Sequence, residues 1–246
     1  MKYCKLSVNI NKVALIRNSR GGNYPDIFKF AEDCERFGAE GITVHPRPDE
    51  RHIRYSDLEI LSSVVNTELN IEGYPSEKFL TIMDKLKPHQ VTLVPDSPEA
   101  LTSDNGWDII KYFDFLKEVN NRLHFNGIRV SLFVNVDPKQ IEAALKLGID
   151  RIELYTGPFA EEYKINPTNS LIPFKEIEKR LEGSNLRLNA GHDLNLYNLA
   201  ALKSVLPSLE EVSIGHALVS DALYYGIENT IGLYKRALRK GEEARG

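Results

Sequence analysis

The sequence predicts an α/β protein, a (β/α)8 TIM barrel forming one catalytic domain over residues 1–246, with short extra helices. Three observations predict it. Short β-rich runs alternate with segments of helical period along the whole chain, and such alternation builds parallel sheets, because parallel neighbours need crossover connections. A chain of 246 residues has room for eight such units, the size of one closed barrel, whereas an open doubly wound sheet usually has fewer strands. Finally, every run delivers polar or titratable residues at the same end.

Taken in order, KLSVNI (5–10) leads to Asn9 and Asn11 and then to the glycine-bearing segment RNSRGGNY (17–24). A helix is predicted over PDIFKFAEDCERFG (25–38), from Pro25 to Gly38, before GITVH (41–45) stops on His45. Arg47, Arg51 and His52 crowd in behind it. LNIEG (69–73) carries Glu72, and the helical segment SEKFLTIMDKLK (76–87) precedes QVTLV (90–94), which runs into Asp96. Helical periodicity covers WDIIKYFDFLKEVNNRL (107–123), and RVSLFV (129–134) closes on Asn135 and Asp137. Pro138 and Gly148 bracket the next helix, PKQIEAALKLG. RIELYT (151–156) brings Glu153 and Thr156, LRLNA (186–190) leads from Asn189 to His192, and EVSIG (211–215) passes through Gly215-His216 into a short helix. Asp96 and Asp137, each beside a Ser-Pro or Pro-Lys pair, read as turn or cap residues.

Composition narrows the classes of function. A formal net charge of -4 argues against a general nucleic-acid binder. Two cysteines, Cys4 and Cys34, make no disulfide framework, and no CxxC pair points to zinc or redox chemistry. The first residues, MKYCKLSVNINK, do not read as a signal peptide, and no stretch approaches the ~18 apolar residues of a membrane span. A reducing, cytoplasmic setting is expected, with no membrane or nucleic-acid partner.

Barrel enzymes build their sites at the C-terminal ends of strands. Burying polar groups there costs a few kcal/mol each, roughly, unless they are paired, so their recurrence on eight units points to catalysis. His45, Glu72 and His192 converge as proton-transfer candidates, since imidazole titrates near neutral pH and a partly desolvated carboxylate can recycle its proton. Two segments suit phosphate. One is 17–24, with Arg17 and Arg20 beside paired glycines. The other is the helix start at Gly215-His216, where free N–H groups and the dipole favour an anion. The two sites suggest a bisphosphate or two phosphorylated substrates. Three rivals stay open on these grounds. A metal-dependent hydrolase or isomerase would use His45, Glu72, Glu153, His192 and His216, although no HxH or HExxH motif supports it. A Schiff-base aldolase would use Lys12. A phosphosugar-binding barrel would not turn over at all.

The blocks SVNINKVALIRNSRGGNYPD, GAEGITVHPRPDERHI, LNIEGYP, VTLVPD, VSLFVN, IELYTGPFA, LNAGHDLN and VSIGHALVSDAL, in this order, resemble the pyridoxine 5′-phosphate synthase family of vitamin B6 biosynthesis from end to end. The resemblance implies a barrel that condenses 1-deoxy-D-xylulose 5-phosphate with 3-amino-2-oxopropyl phosphate to pyridoxine 5′-phosphate, phosphate and water. It implies His45 and Glu72 as proton acceptors and His192 as proton donor, no metal or organic cofactor, and a homo-octamer. Asn9, Arg20, Arg47, His52, Thr102, Gly215 and His216 match substrate-binding positions. Glu153, Asn11, Lys12 and Asp193 are counted with them. Asn11-Lys12 stands where many members have Asp-His, and Asp193 where a glycine is common.

Overall fold

The computed structural model describes residues 3–95 and 105–244. Eight parallel strands close a barrel in sequence order, each pairing with the next and the last with the first. They are β1 (Lys5–Asn9), β2 (Gly41–Val44), β3 (Glu68–Gly73), β4 (Gln90–Leu93), β5 (Arg129–Val134), β6 (Arg151–Tyr155), β7 (Arg187–Gly191) and β8 (Leu209–Ile214). All eight lie where the β-rich runs predict them. The outer layer begins with α1 (Asn11–Asn18), α2 (Ile27–Arg36), α3 (Tyr55–Val64) and α4 (Glu77–Leu86). It continues with α5 (Phe113–Phe125), α6 (Pro138–Leu147), α7 (Gly157–Ile165), α8 (Pro167–Ser170) and α9 (Ile172–Leu181). α10 (Leu199–Val205), α11 (His216–Tyr225) and α12 (Ile227–Glu243) complete it.

Local signals account for the helix ends. Asp26 caps α2 by accepting from the Phe28 and Lys29 amides. Asp137 caps α6 by accepting from the Lys139 amide, Pro138 opens it, and Gly148 closes it in the left-handed region at φ 76°. A helix that the sequence analysis does not place follows β1 directly, from Asn11 onward, and one expectation is corrected. The Trp107–Tyr112 stretch is not helical, because the Trp107 amide donates to Phe133 O at 2.8 Å and the indole Nε1 to Leu93 O at 3.0 Å. The Ile109 amide goes to the Gln140 side chain, so α5 starts only at Phe113.

Along each strand alternate residues face opposite sides. The outward set, such as Leu6, Val8, Ile42, Leu69, Ile71, Ile152 and Leu154, is fully or nearly fully buried under the helices. The inward set is polar, unlike the branched aliphatic filling usual in these barrels. At the N-terminal end Glu68 on β3 binds Lys5 on β1 and Arg129 on β5, and Arg151 on β6 binds Glu211 on β8 at 2.8 Å. These strands are not neighbours in the sheet, so the pairs reach each other through the lumen. Above this charged floor Ser7, Thr43, Asn70 and Thr92 form a hydrogen-bonded belt.

Arg151 also donates to Asn189 and lies 3.3 Å from Glu210. Removing the guanidinium leaves the buried Glu211 carboxylate without its main counter-charge. Arg151→Met should therefore cost about 3–5 kcal/mol of stability in urea unfolding at neutral pH. A loss below about 1 kcal/mol would mean that the floor does not hold the barrel.

Candidate active site

A cavity of about 460 Å³ opens at the C-terminal end of the barrel. β1 and α1 supply Asn9, Asn11, Lys12 and Leu15 to its wall; β2 and its loop supply His45, Arg47, Arg51 and His52. Glu72 enters from β3, Glu153 from β6, and His192, Asp193 and Leu194 follow β7. Ser213, Gly215 and His216 close the ring from β8 and the start of α11.

The β1 end is built to hold the β2 end. Asn9 Oδ1 accepts from the Asn11 amide at 3.1 Å, and Asn11 Oδ1 accepts from the His45 amide at 2.9 Å. His45 is buried, and its Nδ1 lies 3.8 Å from Glu72 Oε2. The chain then crosses Pro46 and Pro48 into a loop clamped from α1. Arg17 makes a two-pronged pair with Asp57 of α3 at 2.9 and 2.8 Å and donates to His52 O at 3.0 Å. Asn18 Nδ2 donates to Arg51 O and His52 O. This overturns the expectation that Arg17 serves phosphate, because its guanidinium is fully buried and spent on the loop. Arg20 is exposed beyond α1 and does not line the cavity. Thr102, and Asp96 with it, lie outside the described residues.

Electrostatics favour neutral imidazoles here. Burial, then the charge of Arg47, pushes the His45 pKa well below its ordinary value, with His52, His192 and Arg51 adding to the effect. His52 is lowered to about 4 by burial and by Arg47 and Arg51. Its Nδ1 accepts from the Ile53 amide at 2.9 Å, as a neutral ring requires. The opposite happens to Glu153. Burial, with the Glu72 and Glu211 charges behind it, raises its pKa well above the usual carboxylate range. Its Oε2 has no protein hydrogen-bond partner, and a Cβ on Gly191 would sit 2.4 Å from its Oε1. Gly191 thus leaves room for the carboxyl group.

His192 packs its ring against Phe133 and Tyr155, with centroids 5.0 and 5.4 Å apart. At β8, Gly215 precedes α11 without a side-chain cap, and Gly215, His216 and Ala217 at the start of this ten-residue helix line the cavity, an arrangement that suits an anion. Ser213, Leu194 and Arg51 also line the cavity and are not among the site residues expected from the sequence. Ser213 was legible, since it lies two residues before Gly215 on the same strand face. Among the described residues, His, Cys, Asp and Glu side chains form no group of three or more arranged to hold a metal ion.

Solved structures of the same architecture include a 4-hydroxy-2-oxoglutarate aldolase, at TM-score 0.61 and 16% identity over 95% of this chain and 93% of the other. A likeness at that identity concerns the fold alone. The curated relatives are far closer. Pyridoxine 5′-phosphate synthase of Parabacteroides distasonis is 57% identical over 95% of this chain and 98% of its own. Those of Cytophaga hutchinsonii and Porphyromonas gingivalis are 55% and 51% identical, covering 96% and 95% of this chain and 99% and 98% of theirs. The model of the family described as pyridoxal phosphate biosynthesis protein PdxJ matches residues 6–240, and the chain belongs to that family.

Proposed function

We propose that this chain is a pyridoxine 5′-phosphate synthase, closing the pyridine ring from 1-deoxy-D-xylulose 5-phosphate and 3-amino-2-oxopropyl phosphate. The balance is one pyridoxine 5′-phosphate, one orthophosphate and two waters. One observation supports the reading: in a member of this family, the imidazole and carboxyl side chains of His45, Glu72, Glu153 and His192 line one cavity with the start of α11. Imine formation, enolisation, phosphate loss, aldol closure and dehydration each move protons, and no single side chain can face every reacting atom.

The roles follow from the local environments. His45 is neutral at pH 7, as a proton acceptor must be, and Glu72 stands close enough to share its work. His192, on the opposite wall, is the proton donor. Glu153, kept protonated by burial, offers an O–H to a substrate oxygen. Arg47 and His52 hold one phosphate, and the amides at Gly215 and His216 hold the other. Asn9, Asn11, Lys12 and Asp193 complete substrate binding, with Arg20 and Thr102 as the resemblance assigns them. No metal or organic cofactor enters the scheme. A homo-octamer in the cytoplasm belongs to the same reading. Leu15 and Ile16 of α1 and Leu223, Tyr224 and Tyr225 of α11 are exposed apolar residues on two helices in contact, as self-association needs, and Cys4 and Cys34 are buried free thiols.

The pH dependence has a defined sign. Turnover needs neutral His45, and its lowered pKa places the acid limb of kcat/KM below pH 6.5, after correction for titration of the substrates' own phosphates. Arg47→Gln removes the largest positive charge acting on that ring, so the limb should move up in pH. A wild-type limb at or above 6.5, or no movement in the variant, contradicts the assignment. In the same assay His45→Ala, Glu72→Gln and His192→Ala should each lower kcat by about 10² or more. Near-normal turnover in a folded Glu72→Gln protein removes that residue from the mechanism.

The reaction itself is tested by labelling each substrate's phosphorus in turn. The aminoketone's phosphorus should appear in the fluorescent pyridinol product, and that of the deoxypentulose in free orthophosphate. Neither substrate alone should give product. No pyridinol with both substrates present would overturn the reading.

A further inference from the structure

The chain leaves β7 through an unusual turn. His192 and Asp193 both adopt the left-handed backbone region, at φ 75° and 56°. Two consecutive residues with side chains rarely do so, and conformations of this kind persist only where surrounding contacts enforce them. Here the enforcing groups are visible. Thr156, fully buried at the end of β6, points its hydroxyl at Gly191 O (2.5 Å) and His192 O (2.6 Å), so that one O–H is shared between two carbonyls. Its own amide donates to Gly191 O at 3.1 Å. On the other side, Asn195 Nδ2 and Asn198 Nδ2 both donate to Asp193 O, at 3.1 and 3.2 Å. Asn198 Oδ1 in turn accepts from the Asn195 amide at 2.9 Å. Three successive carbonyls, of Gly191, His192 and Asp193, are therefore gripped by side chains that do not line the cavity.

We propose that Thr156, assisted by Asn198, is a positioning residue that holds His192 in its left-handed turn and so aims its imidazole into the cavity. The fixed backbone delivers the ring into the slot between Phe133 of β5 and Tyr155 of β6. An extended or right-handed backbone at 192 would send the Cα–Cβ bond in another direction. Thr156 suits the role because one buried hydroxyl reaches both acceptors. The proposal rests on His192 being the proton donor, and the test separates the two claims.

Thr156→Val keeps the shape and removes the donor. In folded protein, kcat should fall about tenfold or more while KM for both substrates stays within about threefold, because the substrate contacts remain. Thr156→Ser, which keeps the hydroxyl, should recover most of the loss. On a His192→Ala background Thr156→Val should add nothing, since the effect passes through that ring. The ¹⁵N-detected imidazole resonances of His192 should shift in Thr156→Val and return in Thr156→Ser. Asn198→Ala, which loosens the next carbonyl, is read in the same way should Thr156→Val fail to fold. Wild-type kcat in Thr156→Val and Asn198→Ala overturns the proposal, as does an undiminished effect on the His192→Ala background. If His192→Ala itself keeps wild-type turnover, the proton-donor role falls. The positioning claim is then decided by the resonances alone, and unchanged resonances overturn it.

Discussion

The charged floor of the barrel is the constraint on which the rest depends. Lys5, Glu68, Arg129, Arg151 and Glu211 can satisfy one another only if all of them point into the lumen. Because side chains alternate along a strand, this fixes the phase of every strand that carries one. Counting by two from Lys5 gives Ser7 and then Asn9. From Glu68 the count gives Asn70 and Glu72, and from Arg151 it gives Glu153. The residues that face the cavity are thus set by ion pairs at the opposite end. A slip of one residue would turn Leu6 or Ile71 into the lumen and drive a charge among the helices. Buried ion pairs gain little net stability over apolar packing, but that mispairing is costly, so their value here lies in register.

Electrostatics at the mouth follow from the same geometry. Guanidiniums at 47 and 51 stand beside two imidazoles, and the cheapest arrangement before any anion arrives is to leave the rings neutral. Glu153 obeys the converse rule, holding its proton because burial and Glu72 disfavour a second carboxylate charge. The site therefore carries positive charge on Arg47 and Arg51, while burial and those charges favour neutral His45 and His52 and a protonated Glu153. A phosphate dianion entering near Arg47 offsets part of that field and eases protonation of His45.

The sequence was most legible where a residue's task is local. All eight strands, the α6 cap at Asp137 and the helix that starts at Gly215-His216 could be read from spacing and flanking residues. Reading failed where a partner is distant along the chain. Arg17 beside two glycines looks like a phosphate ligand, yet its charge is taken by Asp57, forty positions on. The helix over Asn11–Asn18 buries only Val13, Ala14 and Arg17, too sparse a pattern to announce itself, and the Trp107–Tyr112 stretch lost its helix to acceptors on β4 and β5. Nothing in IELYTG shows that the Thr156 hydroxyl will serve the carbonyls after another strand. Such roles are created by closure of the barrel.

The two departures from the common family pattern can be judged by what each atom does. Asn11 uses its side-chain oxygen to accept from the His45 amide, and a carboxylate at that position has an oxygen in the same place. An Asp-to-Asn difference therefore preserves the contact while removing a negative charge near the imidazoles, which suits a site meant for anions. Asp193 is the harder case, since its left-handed backbone is natural to glycine. Asp is among the few other residues that adopt this conformation readily, and Asn195 and Asn198 hold its carbonyl there. The carboxylate itself is exposed at the cavity rim. On the proposed reading, in which the amides of α11 and the Arg47 side take the phosphates, the turn after β7 carries its negative charge at the rim without blocking the site.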